Sequence, residues 1–145
     1  MKNPQTLAER LYEHFPNKKL KAIKDYACCA FTLLWCLGLE PEDPDAIISI
    51  SKLMDKGILD DECTVYWQRA VEYLTGRQVT VEFVNITDIK KIKNRTPVRY
   101  VYGKKAHWVG VEDGKIKFNS LSYSNCVENG KPDTMRVLKF TGGKA

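Results

Sequence analysis

A chain of 145 residues with 23 Lys and Arg against 18 Asp and Glu, net charge +5, fits one domain, and at this size roughly two-thirds of the unfolded surface can be buried without a staple. The opening "MKNPQTLAERLYEHF" is charged and amphipathic, and no stretch approaches the roughly 20 apolar residues of a membrane span, so the expectation is a cytoplasmic protein with no membrane segment. Five cysteines are an odd number with no secretion signal, which argues against a disulfide framework.

Metal and cofactor are set aside as well. No cysteine pair has ligand spacing with a matching second pair, His14 and His107 are far apart in the chain, and no cofactor motif is present. Basic residues cluster in "DIKKIKNRTPVRYVYGKKAHW" and would attract an acidic partner. A nucleic-acid role is disfavoured because no recognition motif accompanies them, and "VRYVY" reads as an alternating strand.

In chain order, "NPQTLAERLYEHFP" predicts a first helix, with Asn3 as cap, Pro4 in the first turn and Leu7, Leu11 and Phe15 at helical spacing. Asp25 is expected to cap a second helix that carries Cys28, Cys29, Phe31, Leu33, Leu34, Trp35 and Cys36 and stops at Gly38. Being apolar nearly all round, it should be buried on most sides. "DPDAIISISKLMDKG", with Asp43 as cap, and "TVYWQRAVEYLTG" predict two more helices. The period then changes to alternation: "QVTVEFV", "PVRYVY", "HWVGVE", "KIKFN" and "TMRVLKF" predict strands, with a two-residue hairpin at Asp113-Gly114. The expectation is a single α+β domain over 1–145, helical over about 1–76 and strand-rich over about 77–140, its buried helix packed against a C-terminal antiparallel sheet.

The chemistry centres on "DYACCAFTLLWCLG". On a helix, Cys29 and Cys36 share a face with Leu33 and read as core, whereas Cys28 is turned about 100° away, towards Thr32 and Trp35. Three residues after the expected cap, the Cys28 sulfur would lie near unpaired amides and the positive helix end, which favours thiolate. A nucleophile also needs a base, and His107, opening a strand, is the candidate. By alternation it shares a side with Val109 and Val111, and its imidazole is expected to point at the buried helix. A third polar group would hold its tautomer. Strict hairpin pairing sets Ser120 opposite His107 and turns Asn119 away, whereas a bulge at the strand end turns Asn119 in, so both remain candidates.

A Cys opening a buried helix, a later His opening a strand and an Asn one hairpin on resemble, in chain order, the papain-like cysteine peptidase superfamily. "YACCAFTLL" is similar to the Cys-helix motif of the double-glycine, bacteriocin-processing peptidases. "HWVGVEDGKIKFNSLSYSNCVENGK" is similar to a segment of small phage- and plasmid-encoded papain-like proteins of unknown function. Together these motifs cover about a third of the chain. The resemblance implies a papain-like fold, Cys28 as nucleophile, His107 as base, Asn119 as third member, no cofactor, and a peptide or protein as substrate. The position six residues before Cys28, where papain-like enzymes carry a Gln that completes the oxyanion hole, is Ala22. A papain-like scaffold of little or no activity, serving as a binding or inhibitory module of a phage or mobile element, is the alternative.

Overall fold

Residues 1–144 are described in a computed structural model of the chain, so the expected single domain over 1–145 extends one residue past them. Helix α1 (Pro4–His14) begins with proline in its first turn. Its opening amides, from Gln5 and Thr6, donate to the Ser120 carbonyl at 2.9 and 3.3 Å. Asn3, the expected cap, instead donates its side-chain amide to the Asn119 carbonyl at 2.9 Å. The start of the chain is thus fastened to the segment that follows the central hairpin.

A helix absent from the sequence expectation, α2 (Lys18–Tyr26), is capped by Asn17, whose Oδ1 accepts from the Leu20 amide at 2.9 Å. Asp25 does not cap the Cys helix. It lies in the last turn of α2, and its carboxylate takes Lys21 Nζ at 2.8 Å and Lys24 Nζ at 2.7 Å. The lysine one turn back competes successfully for that carboxylate. Helix α3 (Cys28–Cys36) follows after the single buried residue Ala27 and has no side-chain cap. Ala27 still donates to Ile23 and accepts from Phe31, so α2 and α3 form one rod with a break at a single residue.

Helix α4 (Asp43–Asp55) includes Asp43 as its first residue rather than its cap. The Asp43 carboxylate accepts instead from the Lys2 and Asn3 amides at 2.6 and 3.0 Å. Helix α5 (Trp67–Thr75) ends at Gly76, whose φ of +67° is the left-handed stop that glycine supplies most cheaply.

The strands are β1 (Arg77–Asn85), β2 (Thr96–Tyr102), β3 (Lys105–Glu112), β4 (Lys115–Phe118) and β5 (Lys131–Lys144), with a short helix α6 (Asn125–Asn129) before the last. They form one antiparallel sheet in the order β1-β5-β2-β3-β4. The fold is therefore α+β. Asp113 and Gly114 have φ of +53° and +72°, the backbone a two-residue I′ hairpin requires.

Both faces of the sheet are covered. On one, α3 and the other long helices pack over Val79 and Phe118. On the other, Ile92, Val98, Tyr100, Val109, Val111 and Cys126 form a second cluster. Leu33 and Trp35 are buried, as an all-round apolar helix requires, whereas Cys36 is half-buried. Trp35 seats α3 on β3: its ring stacks on Phe118 at 6.0 Å, and the Arg95 guanidinium lies 4.3 Å from it. Gly110 lies so close that a Cβ there would come within 2.4 Å of the indole.

That contact corrects the expected orientation of β3. Gly110 faces α3, while Val109 and Val111 face the second cluster, away from it. With both sides of the strand buried, alternation marks two faces without saying which meets the helix. Glycine at the close approach carries that information.

Candidate active site

The break between α2 and α3 frees main-chain groups at Cys28. An unbroken helix would offer the Lys24 carbonyl to the Cys28 amide, but here it accepts from Gln5 Nε2 at 2.7 Å. The main chains of Trp108, Cys29 and Cys28 instead act on the Cys28 sulfur, drawing its pKa down against the larger effect of burial. One helical turn on, Thr32 Oγ1 donates to the Trp108 carbonyl at 3.3 Å. Thr32 thus engages the main chain of Trp108 past the point where β4 ends, at the Gly110–Phe118 pair, so the helix gives the strand a donor beyond the hairpin.

His107 precedes Trp108 and, by alternation, lies on the side of Val109 and Val111, so its imidazole faces the second cluster rather than α3, against the expectation. It is 4 % exposed. Its Nε2 lies 2.7 Å from Asn119 Oδ1. That oxygen also accepts the Leu121 amide at 3.0 Å, so the atom facing His107 is an acceptor. Nε2 must then carry the proton, which leaves Nδ1 with its lone pair.

Asn119 reaches His107 because of a register shift. Val111 pairs with Ile116, but Gly110 pairs with Phe118, so Lys117 is an extra residue in β4. The bulge lies inside the strand rather than at its end. It brings Asn119 to the imidazole. Ser120, the other candidate, donates its hydroxyl to Gln5 Oε1 at 2.7 Å and serves the α1 anchor.

The electrostatics differ from the sequence expectation. Burial pushes the Cys28 thiol above the ordinary cysteine range, against the opposing pull of the Trp108, Cys29 and Cys28 amides. Burial likewise holds the imidazole of His107 below its usual value, partly offset by the Asn119 hydrogen bond. The thiol and the imidazole are each neutral at rest. A few amide dipoles do not replace the water that a thiolate loses on burial. Cys29 is raised by burial as well, and Cys63 is pushed up to about 12. All five cysteines are free.

Three residues of this arrangement lie outside the sequence expectation for the site. Thr32 carries a usable signal, being four residues after Cys28 on the same helical face. Trp108 reads as an ordinary alternate residue, and its role is played by its main chain. Gln5 carries no local signal, because its partners lie 19 and 115 residues away in sequence.

A cavity of about 870 Å³ lies at the other end of α3, between Cys36, the segment from β1 to β2 and β5. Lys91, Lys93, Arg95 and Arg136 line it against a single acid, Asp88. Among the described residues, no cluster of three or more His, Cys, Asp or Glu side chains could hold a metal ion, and no helix is long and apolar enough to cross a membrane. Comparison with protein-family models, curated proteins and solved structures finds no match to the chain.

Proposed function

We propose that the protein is a thiol-dependent amide hydrolase of papain-like type, acting on a peptide or protein, with Cys28 as nucleophile, His107 as base and Asn119 as the group that orients the base. The observation that carries this reading is the pair of contacts on consecutive residues of β3. Thr32 Oγ1 of the Cys helix donates to the Trp108 carbonyl at 3.3 Å, and His107 Nε2 is held by Asn119 at 2.7 Å with Nδ1 left to accept a proton.

Since the resting pair is neutral, proton transfer accompanies attack. His107 Nδ1 takes the thiol proton as Sγ bonds to the amide carbon. The C–N bond then breaks, and the same proton goes to the leaving amine. Water, deprotonated in turn by His107, releases the acyl group from sulfur. The developing oxyanion is met by main-chain amides at the start of α3, freed because Gln5 occupies Lys24.

The alternative, a scaffold that binds or inhibits a protein, is favoured by one observation. Gln5, the glutamine nearest the helix start, commits its amide to Lys24 and its carbonyl to Ser120, so no glutamine side chain is left to serve the oxyanion. Losing one such donor typically costs about 100- to 1000-fold in rate. An amide-directed electrophile, a peptidyl vinyl sulfone, separates the two readings. The hydrolase should label at Cys28 well ahead of Cys36 and Cys63 and lose that selectivity in His107→Ala. Equal labelling of the three thiols, indifferent to His107→Ala, would hand the molecule to the binding reading.

A further inference from the structure

Arg136 of β5 is placed unlike the other cations. Its guanidinium carbon lies 3.7 Å from the Phe83 ring, 4.9 Å from Trp108 and 5.6 Å from Trp67. Trp67 and Trp108 are themselves in contact, with centroids 5.3 Å apart. Nη1 donates to Thr134 Oγ1 at 3.0 Å and to the Met135 carbonyl at 3.4 Å. Nε is enclosed and has no acceptor. Among the described residues no carboxylate reaches ion-pair distance of it. Asp133, the nearest acid in sequence, is held by Arg99 in a bidentate pair at 3.0 and 2.7 Å.

A half-buried cation without an ion-pair partner is costly, and aromatic faces and the charge of Asp133 compensate it only in part. Two features connect this charge to the proposed site. Trp108, whose ring lies beside the guanidinium, accepts on its carbonyl the hydroxyl of Thr32, one helical turn after Cys28, and Cys29 feels the charge of Arg136. Arg136 also borders the large basic cavity, which gives a ligand a way in from solvent.

We infer that Arg136, framed by Phe83, Trp67 and Trp108, is a carboxylate-binding subsite beside Cys28, selecting substrates that bear an acidic side chain or a free C-terminal carboxylate near the bond to be cleaved. The inference rests on the proposed hydrolase reading and names its substrate class. With Nη1 committed and Nε enclosed, Nη2 is the donor left for a carboxylate oxygen, and the stacked rings leave the guanidinium little freedom to lose on binding.

Two small alkylating agents of similar size test it, one anionic and one neutral. Rates of Cys28 modification by iodoacetate and iodoacetamide are measured at one pH by mass spectrometry, in the wild-type protein and in Arg136→Gln. The ratio of iodoacetate to iodoacetamide rate should fall roughly tenfold in the variant, the scale of one charge several ångströms away. An unchanged ratio, with Cys28 still modified, overturns the subsite and leaves the nucleophile standing. Failure of both reagents to favour Cys28 over Cys36 and Cys63 overturns the hydrolase reading and the subsite with it. If Arg136→Gln does not fold, the wild type decides alone. Replacing chloride by acetate at equal ionic strength should slow iodoacetate at Cys28 through competition, and no slowing counts against the subsite. N-acetylglycylglycine and N-acetylglutamic acid α-amide, as protectants of Cys28, then tell a terminal carboxylate from a side-chain one.

Discussion

At the residue scale, the pairing of a raised thiol with a depressed imidazole sets the pH behaviour of the site. Because burial lifts Cys28, its reaction with iodoacetamide should climb through the alkaline range, with a midpoint above the roughly 8.5 of a free cysteine. A pH profile of labelling at that residue checks this, and rapid labelling near pH 6 would contradict the neutral resting pair. Asn119→Ala should leave the profile in place, since Asn119 touches the imidazole and not the sulfur. It should nonetheless slow turnover of any substrate by about 100-fold through loss of alignment. His107 makes a separate contribution to stability. Its folded pKa lies below its unfolded one, so the unfolded chain binds the proton more readily. The native state is favoured above about pH 6.5 and loses that advantage as pH falls through the imidazole's folded value. Thermal melts from pH 7.5 to 5 should therefore fall more steeply in the wild type than in His107→Gln. Parallel curves would show that the imidazole does not control this slope.

Among the elements, the seating of α3 on β3 matters most, because it sets the Cys helix against Trp108 through Thr32. Gly110 gives the Trp35 indole its place, and a methyl group there would have to displace an aromatic ring already held between Phe118 and Arg95. Gly110→Ala is expected to cost about 1 to 3 kcal/mol through overpacking, read from denaturant midpoints. Trp35→Leu in the same chain should recover part of the loss, since contacting residues do not add independently. Additive losses would place the strain elsewhere. The junction of α2 with α3 is a second case of one element setting another. The Gln5 side chain fills the Lys24 carbonyl and accepts from Ser120, so α1 both opens the start of the Cys helix and holds the turn that delivers Asn119.

For the molecule as a whole, legibility follows the range over which each signal acts. The Asp113-Gly114 hairpin and the glycine stops are local, and "DG" between alternating segments specifies its own backbone. The α+β class follows from a change of period near Gly76, also a local property. Helix α2 was hidden because its lysine-rich stretch offers just Leu20 and Ile23 as an apolar pair, while Asp25 imitates a cap that the neighbouring lysines have already taken. Cys28, His107 and Asn119 are candidates by residue type and position, and the contact of His107 with Asn119 is the part of that set the fold brings together. The helix-facing side of β3, the bulge at Lys117 and the part played by Gln5 could not be read in the same way, since each depends on partners distant in sequence. Arg136 stood in an ordinary strand pattern, and its aromatic frame gathers Phe83, Trp67 and Trp108 from three separate elements.

The strand order β1-β5-β2-β3-β4 also dictates a timetable. β5 is made last but sits between β1 and β2, with Asn85 paired to Thr134 and Val98 to Met135. Until it is synthesised, β1 has no neighbour in the sheet and the helical layer rests on half a floor. The hairpin of β3 and β4 can close early, within microseconds, but the sheet waits for a pairing that spans some fifty residues or more of chain. Refolding should therefore show the Tyr and Trp signals of the sheet maturing in milliseconds to seconds, well after helical circular dichroism appears. Substituting Thr134 or Met135, where β5 meets both neighbours, should slow that late phase, whereas changes in the β3–β4 turn should leave it untouched. A nascent chain stalled before residue 131 would then carry Cys28, His107 and Asn119 on a sheet that still lacks its middle strand.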